Sequence, residues 1–133
     1  MEETPRVLVV DDDEVDRMAV HRAFNKSGIS AELVEASTCA EAIQILQTHP
    51  FDCVFLDYRL PDQDGLALVQ DIRRMGNRVP LVVLTGQGDE QIAVEVMKAG
   101  ATDYLSKSRV TPERLEQVLR NAIRIYRAEM QVT

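Results

Sequence analysis

The chain has 133 residues, of which 45% are hydrophobic and 28% are charged, a composition typical of one globular domain and not of a disordered segment. The formal net charge of −7 argues against nucleic acid as a direct partner, since no basic stripe is present to neutralise phosphates. No apolar run approaches the roughly 20 residues of a membrane span and no signal peptide opens the chain, so we expect a cytosolic protein without a membrane partner.

Short apolar runs alternate with amphipathic stretches along the whole sequence. The runs predict buried strands at about residues 6–10, 33–36, 53–56, 81–84 and 103–106. Helical spacing of apolar residues follows each run. Regular alternation of this kind predicts an α/β fold, a doubly wound five-stranded parallel sheet with helices on both faces. Right-handed connections favour the flavodoxin-like strand order 2-1-3-4-5, that is, a (βα)5 chain.

The helical stretches predict which side chains face the sheet. In the first helix the expected apolar face is Val15, Met18, Ala19 and Ala23, with Val20 and Phe24 beside it. In the fourth helix the expected inward residues are Ile92, Ala93, Val96 and Met97. Asp13 or Glu14 is expected to cap the first helix. Thr38 and Glu41 match a capping box at the start of the second.

The cysteines and histidines carry no pattern of a metal or redox site. Cys39 and Cys53 are isolated in apolar surroundings, which predicts small buried side chains. His21 and His49 lie in the first two helices without acidic or cysteine partners at ligand spacing, so we expect structural or exposed roles for them.

Polar residues follow four of the five predicted strands. Asp11 and Asp12 end the first strand, Asp57 the third, Thr85 the fourth and Lys107 the fifth. The carboxyl ends of parallel strands share one edge of a sheet, so these side chains are predicted to meet there. Carboxylates without His or Cys favour Mg²⁺ or Mn²⁺. With an ammonium and a hydroxyl they suit phosphoryl transfer, in which Asp57 is the natural nucleophile.

The segments VLVVDDD, VFLDYRLPDQDG, VVLTG and DYLSK, in this order, resemble the receiver domain of bacterial two-component response regulators over about residues 6–127. The resemblance implies that Asp57 accepts a phosphoryl group from a sensor histidine kinase or a histidine phosphotransfer protein. It implies that Asp11, Asp12, Asp57 and the backbone carbonyl of Arg59 hold Mg²⁺. It also implies that Thr85 and Lys107 bind the phosphoryl oxygens.

Further positions match or depart from the pattern of this family. Tyr104 matches its switch aromatic, which turns inward as Thr85 moves toward the phosphoryl group; ordinary packing is the alternative. Arg59, Gly86 and Gln87 stand where the family tunes access to the phosphoryl group. The residue after the lysine is Ser108 instead of the usual proline, which raises the expectation of a different loop geometry around Lys107.

The resemblance implies a phosphorylation switch that modifies itself and is not otherwise an enzyme. We expect one receiver domain over residues 1–133 without an output domain, or else a receiver excised from a longer protein. Output would then pass to a downstream protein through the fourth helix, fifth strand and fifth helix. The same surface is a candidate homodimer interface, and it includes Ile125, which lies outside the apolar face that the fifth helix is predicted to bury.

Two other functions remain open from the sequence. A haloacid-dehalogenase-like phosphatase also uses a nucleophilic Asp, Mg²⁺ and Lys, but it carries a second Asp where this chain has Arg59. A receiver-like scaffold that is never phosphorylated is the weaker alternative, because the full set of acids is present.

Overall fold

The computed structural model describes residues 4–86 and 90–132, which form five strands and five α-helices. The strands are β1 (Arg6–Val10), β2 (Glu32–Ala36), β3 (Cys53–Asp57), β4 (Leu81–Thr85) and β5 (Asp103–Ser106). The helices are α1 (Glu14–Lys26), α2 (Cys39–Thr48), α3 (Gly65–Arg74), α4 (Glu90–Ala99) and α5 (Pro112–Val132). A short 3₁₀ turn, Lys107–Arg109, joins β5 to α5.

All strands pair in parallel in the order β2-β1-β3-β4-β5, which confirms the predicted topology. The apolar runs predicted as strands are strands, and their residues in β3 and β4 are buried throughout. Both faces of these strands are covered, which is why they lack the polar–apolar alternation of a half-exposed strand.

Helices cover the two faces of the sheet and enclose two separate cores. One core packs α2, α3 and α4 against alternate strand residues such as Leu8 and Leu56. The other packs α1 and α5 against the residues between them, such as Val9 and Phe55. In that second core the rings of Phe24 and Phe55 meet edge to face, with centroids 5.7 Å apart. The predicted doubly wound architecture is therefore confirmed.

The expected apolar face of α1 is wrong in its first two turns. Val15 is 72% exposed and Met18 48% exposed, and Ala19 is exposed as well. The buried residues of α1 are Val20, Ala23 and Phe24. They define a face that extends one turn back to Asp16, four residues before Val20. The first turn of α1 thus presents an acid, and not an apolar side chain, on the buried side.

The helix α4 buries Ala93 and Val96 as expected, with Ile92 half-buried, but Met97 is 40% exposed, which corrects the prediction for that residue. Ile125 on α5 is 38% exposed and lies off the core face, as predicted.

Local signals at the helix ends are confirmed. Asp13 caps α1 through its side chain, which accepts hydrogen bonds from the backbone N–H groups of Val15 and Asp16. Thr38 Oγ1 accepts from the N–H of Glu41 at 3.1 Å. Each bond satisfies a helical N–H that has no partner within the helix.

Cys39 and Cys53 are both buried and free, as predicted. His21 has one acidic neighbour that its sequence spacing does not indicate, because its Nε2 lies 3.1 Å from Oε2 of Glu35 on β2, and a single such contact is consistent with the structural role expected for it. The two residues are distant in the sequence and meet only through the pairing of α1 with the sheet edge.

Candidate functional site

Three carboxylates converge where β1 and β3 end. Asp11 and Asp12 follow β1, and Asp57 is the last residue of β3, so two central strands deliver them to the same edge. An oxygen of each lies within 4.8 Å of an oxygen of the others. Asp11 and Asp57 are buried and Asp12 is exposed. The predicted meeting of these acids at the carboxyl edge is what the structure shows.

Asp11 is a buried acid with incomplete hydrogen bonding. Its Oδ1 accepts from the backbone N–H of Asp13 at 2.9 Å, whereas its buried Oδ2 has no hydrogen bond among the described residues. Burial raises the pKa of Asp11 to about 6, and the negative charge of Asp57 acts in the same direction, against the lowering effect of the Asp13 N–H. Ionised Asp11 is therefore held at an electrostatic cost that a cation would relieve.

Lys107 brings a cation to these acids. Its Nζ donates to Oδ2 of Asp57 at 2.9 Å and lies 3.3 Å from Oδ2 of Asp11, within ion-pair distance although without hydrogen-bond geometry. Burial acts to lower the pKa of Lys107, but hydrogen bonds to Asp16 and Asp57 outweigh it and raise the pKa. Lys107 reaches the site with Ser108 as the next residue, and no described peptide bond is cis.

Asp16 is a member of this cluster that the sequence analysis missed. Its Oδ2 accepts from Lys107 Nζ at 2.5 Å. The signal that points to it is the buried face of α1, since Asp16 precedes Val20 by one turn and so projects toward the same sheet edge. The apolar spacing of Val15 and Met18 concealed that face.

The other residues predicted for the site lie on β4 and β5 or directly after β4. Thr85 is buried at the end of β4, beside Asp57 on the neighbouring strand, and exposed Gly86 follows it. Tyr104 on β5 is 45% exposed, so its ring faces outward. Gln87 lies outside the described residues.

The loop after β3 folds back beside the carboxylates. The N–H of Arg59 donates to Oδ1 of Asp57 at 3.2 Å, and Arg59 forms an isolated antiparallel bridge with Asp64. The N–H of Gly65 donates to the carbonyl of Tyr58 at 2.6 Å. A Cβ at Gly65 would lie 2.8 Å from Cα of Tyr58, so only glycine permits this close approach. The loop backbone is thereby held beside Asp57.

The donor set fits a hard divalent cation. Three carboxylates from the ends of adjacent strands offer oxygen ligands only, and Oδ2 of Asp11 is buried without a hydrogen-bond donor. Oxygen donors of this kind suit Mg²⁺, which binds through one or two carboxylates, waters and phosphate oxygens. Asp11, Asp12 and Asp57 are therefore able to hold such an ion.

Comparisons with known proteins agree with this geometry. Residues 7–120 match the model of the response regulator receiver domain. The chain belongs to the response regulator receiver domain family. The predicted family and fold are thus confirmed, and the phosphatase alternative loses its support.

Individual proteins and a solved structure resemble this receiver domain over most of its length. It is 36% identical to the response regulator MprA of Mycobacterium sp. (strain KMS) over 86% of this chain and 47% of that protein. It is 40% identical to the photosynthetic apparatus regulatory protein RegA of Rhodovulum sulfidophilum over 79% of this chain and 56% of that protein. A response regulator structure from Chloroflexus aurantiacus superposes with a TM-score of 0.83 at 28% identity, covering 91% of this chain and 98% of that one.

The receiver domain spans about half the length of the curated relatives that it matches. Within residues 4–86 and 90–132, every helix is too short or too polar to cross a bilayer.

Proposed function

We propose that this receiver domain accepts a phosphoryl group on Asp57 from a sensor histidine kinase or a histidine phosphotransfer protein. Mg²⁺, or Mn²⁺ in its place, is held by Asp11, Asp12, Asp57 and the backbone carbonyl of Arg59. One observation carries the proposal: Asp57, at the end of the central strand, lies 2.9 Å from the Lys107 ammonium and beside the buried, unbonded oxygen of Asp11.

The transfer needs no reactant beyond the phosphodonor. An Asp57 carboxylate oxygen attacks phosphorus, the phosphorus–nitrogen bond of a phosphohistidine breaks, and its electron pair stays on the imidazole nitrogen. Lys107 and the Thr85 hydroxyl contact the phosphoryl oxygens and offset their charge. A divalent cation held by Asp11, Asp12 and Asp57 would supply further charge neutralisation. Water attack on the acyl phosphate later restores the carboxylate, so the domain modifies only itself.

The readout surface of the proposed switch is formed by α4, β5 and α5. Val94, Met97, Tyr104 and Ile125, all large apolar residues on these elements, are each at least 38% exposed. We propose that Thr85 moves toward the phosphoryl group and that the outward Tyr104 ring turns inward in response. The resulting surface would bind a downstream protein or a second copy of the chain. Arg59, Gly86 and Gln87 would shape the approach of water to the phosphoryl group.

The test is incubation with acetyl phosphate and Mg²⁺, followed by intact-mass measurement. We expect a labile gain of one phosphoryl group that is absent in Asp57→Asn and retained in Asp71→Asn, which removes a partly exposed acid of α3 outside the cluster. Turnover of phosphate monoesters without an adduct would favour a phosphatase. An adduct that persists in Asp57→Asn would refute the assigned acceptor, and no adduct from either a small donor or a kinase would refute phosphoacceptance.

A further inference from the structure

Lys107 has one more carboxylate partner than the proposed chemistry assigns to it. Its ammonium has three N–H donors and three carboxylate neighbours, Asp16 at 2.5 Å, Asp57 at 2.9 Å and Asp11 at 3.3 Å. The shortest of these contacts is to Asp16, the acid that belongs to neither the acceptor nor the metal ligands. The contact joins α1 to the loop after β5, across 91 residues of sequence.

The position of Asp16 is fixed by the fold. It lies on the buried face of α1, one turn before Val20, and Val20 packs in the core between α1 and α5. A small cavity of about 30 Å³ lies between Lys107, Asp16 and Val20, so the ammonium and the carboxylate meet beside the core of α1. The Asp16 side chain is 37% exposed and that of Lys107 is 29% exposed, so the contact is partly screened by solvent.

Phosphorylation and cation binding would each change one of the three partners of Lys107, Asp57 and Asp11 respectively, and neither changes Asp16. A phosphoryl group on Asp57 converts its carboxylate into an acyl phosphate, a mixed anhydride, and adds new anionic oxygens to it. A cation at Asp11 would compete with Lys107 for the oxygen of that residue. Lysine is a flexible point charge that needs a fixed partner to stay in place, and Asp16 offers one in every state of the site.

We propose that Asp16 is a positioning residue that holds the Lys107 ammonium over Asp57 for phosphoryl transfer. The inference rests on the proposed function and deepens it. Asp16 touches neither the phosphoryl group nor Asp57 itself; it acts through Lys107. Without it, the ammonium spends part of its time in solvent, and fewer encounters with a phosphodonor find the site assembled.

A kinetic cycle tests whether Asp16 acts through Lys107. In Asp16→Ala we expect the rate of adduct formation from acetyl phosphate to fall about 3- to 10-fold, the range of a partly exposed charge pair. In Lys107→Ala, whose own rate is lower, adding Asp16→Ala should change the rate less than about twofold, because the partner is gone. Equal losses in the two backgrounds, or no loss in the first, would overturn the proposal.

A second measurement reports on the contact without phosphorylation. In Mg²⁺-free protein, the ¹⁵N-labelled ammonium of Lys107 should give an NMR signal, because its hydrogen-bonded protons exchange slowly with water. The signal is assigned by its absence in Lys107→Ala. Glu14→Gln should keep the signal, since Glu14 is an exposed acid of the same helical turn. Asp16→Ala should broaden it beyond detection. An unchanged signal in Asp16→Ala refutes the positioning role even if Asp57 forms no adduct, which separates this result from failure of the proposed function.

Discussion

Two partly buried cations lie at opposite edges of the sheet, and their partners differ in kind. At the carboxyl edge, the ammonium of Lys107 contacts three carboxylates. At the amino-terminal edge, Arg73 from the last turn of α3 hydrogen-bonds to backbone carbonyls. Its guanidinium donates to the carbonyl of Asn77 at 3.0 Å, to that of Val79 at 2.7 Å, and twice to that of Gly100, at 3.0 and 2.8 Å.

The comparison separates a cation held by backbone dipoles, Arg73, from a cation held by ionisable side chains, Lys107. The partners of Arg73 are fixed dipoles that no ligand replaces, and Gly100 leaves room for it, since a Cβ there would lie 3.1 Å from Cγ of Arg73. The carboxylates around Lys107 are more numerous than the cation can neutralise, and one oxygen of Asp11 stays unbonded. Excess negative charge of this kind is relieved when a further cation binds among the carboxylates.

The largest expected effect is the loss of the Arg73 guanidinium. Arg73→Ala leaves three carbonyls without their donor, so we expect the free energy of unfolding to fall by about 3–4 kcal/mol. Arg74→Ala is the matched control, because Arg74 is exposed and pairs only with Asp71 one turn back, and we expect a change within about 0.5 kcal/mol. Urea unfolding measures both.

If the two edges have separate roles, the folded fraction of Arg73→Ala should still form the Asp57 adduct at the rate of the unchanged chain. A slower rate of adduct formation per folded molecule in Arg73→Ala would mean that the amino-terminal edge takes part in phosphoryl transfer. The two edges would then not have separate roles.

The second-largest expected effect is a gain in the free energy of unfolding as the pH is lowered. The pKa of Asp11 in the folded state, about 6, lies above the ordinary value of 3.8 for an aspartate, so the folded state holds this proton more tightly than the unfolded state. In Mg²⁺-free protein, stability should therefore rise as pH falls from 7.5 through 6, and the gain should level off near pH 4. A pKa difference of about 2 between the folded and unfolded states corresponds to a gain of about 2–3 kcal/mol in the free energy of unfolding over this pH range.

Asp11→Asn should remove this gain, because the amide does not titrate, whereas Asp71→Asn should keep it. The comparison is made by urea unfolding in EDTA at several pH values. Equal pH slopes for Asp11→Asn and the unchanged chain would show that the ionised Asp11 carboxylate carries no electrostatic cost.

The two edges also differ in how far the sequence reveals them. Asp11, Asp57 and Lys107 each follow an apolar run, and parallel strands bring such positions to one edge, so their convergence was predictable from order alone. Nothing in the spacing of Arg73 distinguishes it from Arg74, since both lie in the last turn of α3. The partners of Arg73 are backbone groups of two loops, and sequence patterns do not predict loop backbone geometry.

The first helix shows a second reason for error. Apolar spacing allowed two overlapping faces, one through Val15 and Met18 and one through Val20 and Phe24. The sheet covers only the second, because the first turn of α1 lies at the carboxyl edge beside the acids. Periodicity gives the angle between side chains but not which of two adjacent faces meets the core, and Asp16 was missed for that reason.

The smallest expected effect is that of the metal on stability. Mg²⁺ at ten times its dissociation constant should stabilise the domain by roughly 1.4 kcal/mol, seen as a rise of about 2–5 °C in Tm. Asp12→Ala should reduce this rise, because exposed Asp12 supplies one of the three converging carboxylates, and it should weaken Mg²⁺ affinity in a titration. Glu14→Gln, which removes a nearby acid outside the cluster, should leave the rise intact, and so should Arg74→Ala at the other edge. If Glu14→Gln reduces the rise in Tm as much as Asp12→Ala does, Mg²⁺ binding depends only on the net negative charge of this region. If the reduction is confined to Asp12→Ala, Mg²⁺ binds at the carboxylates next to Asp57.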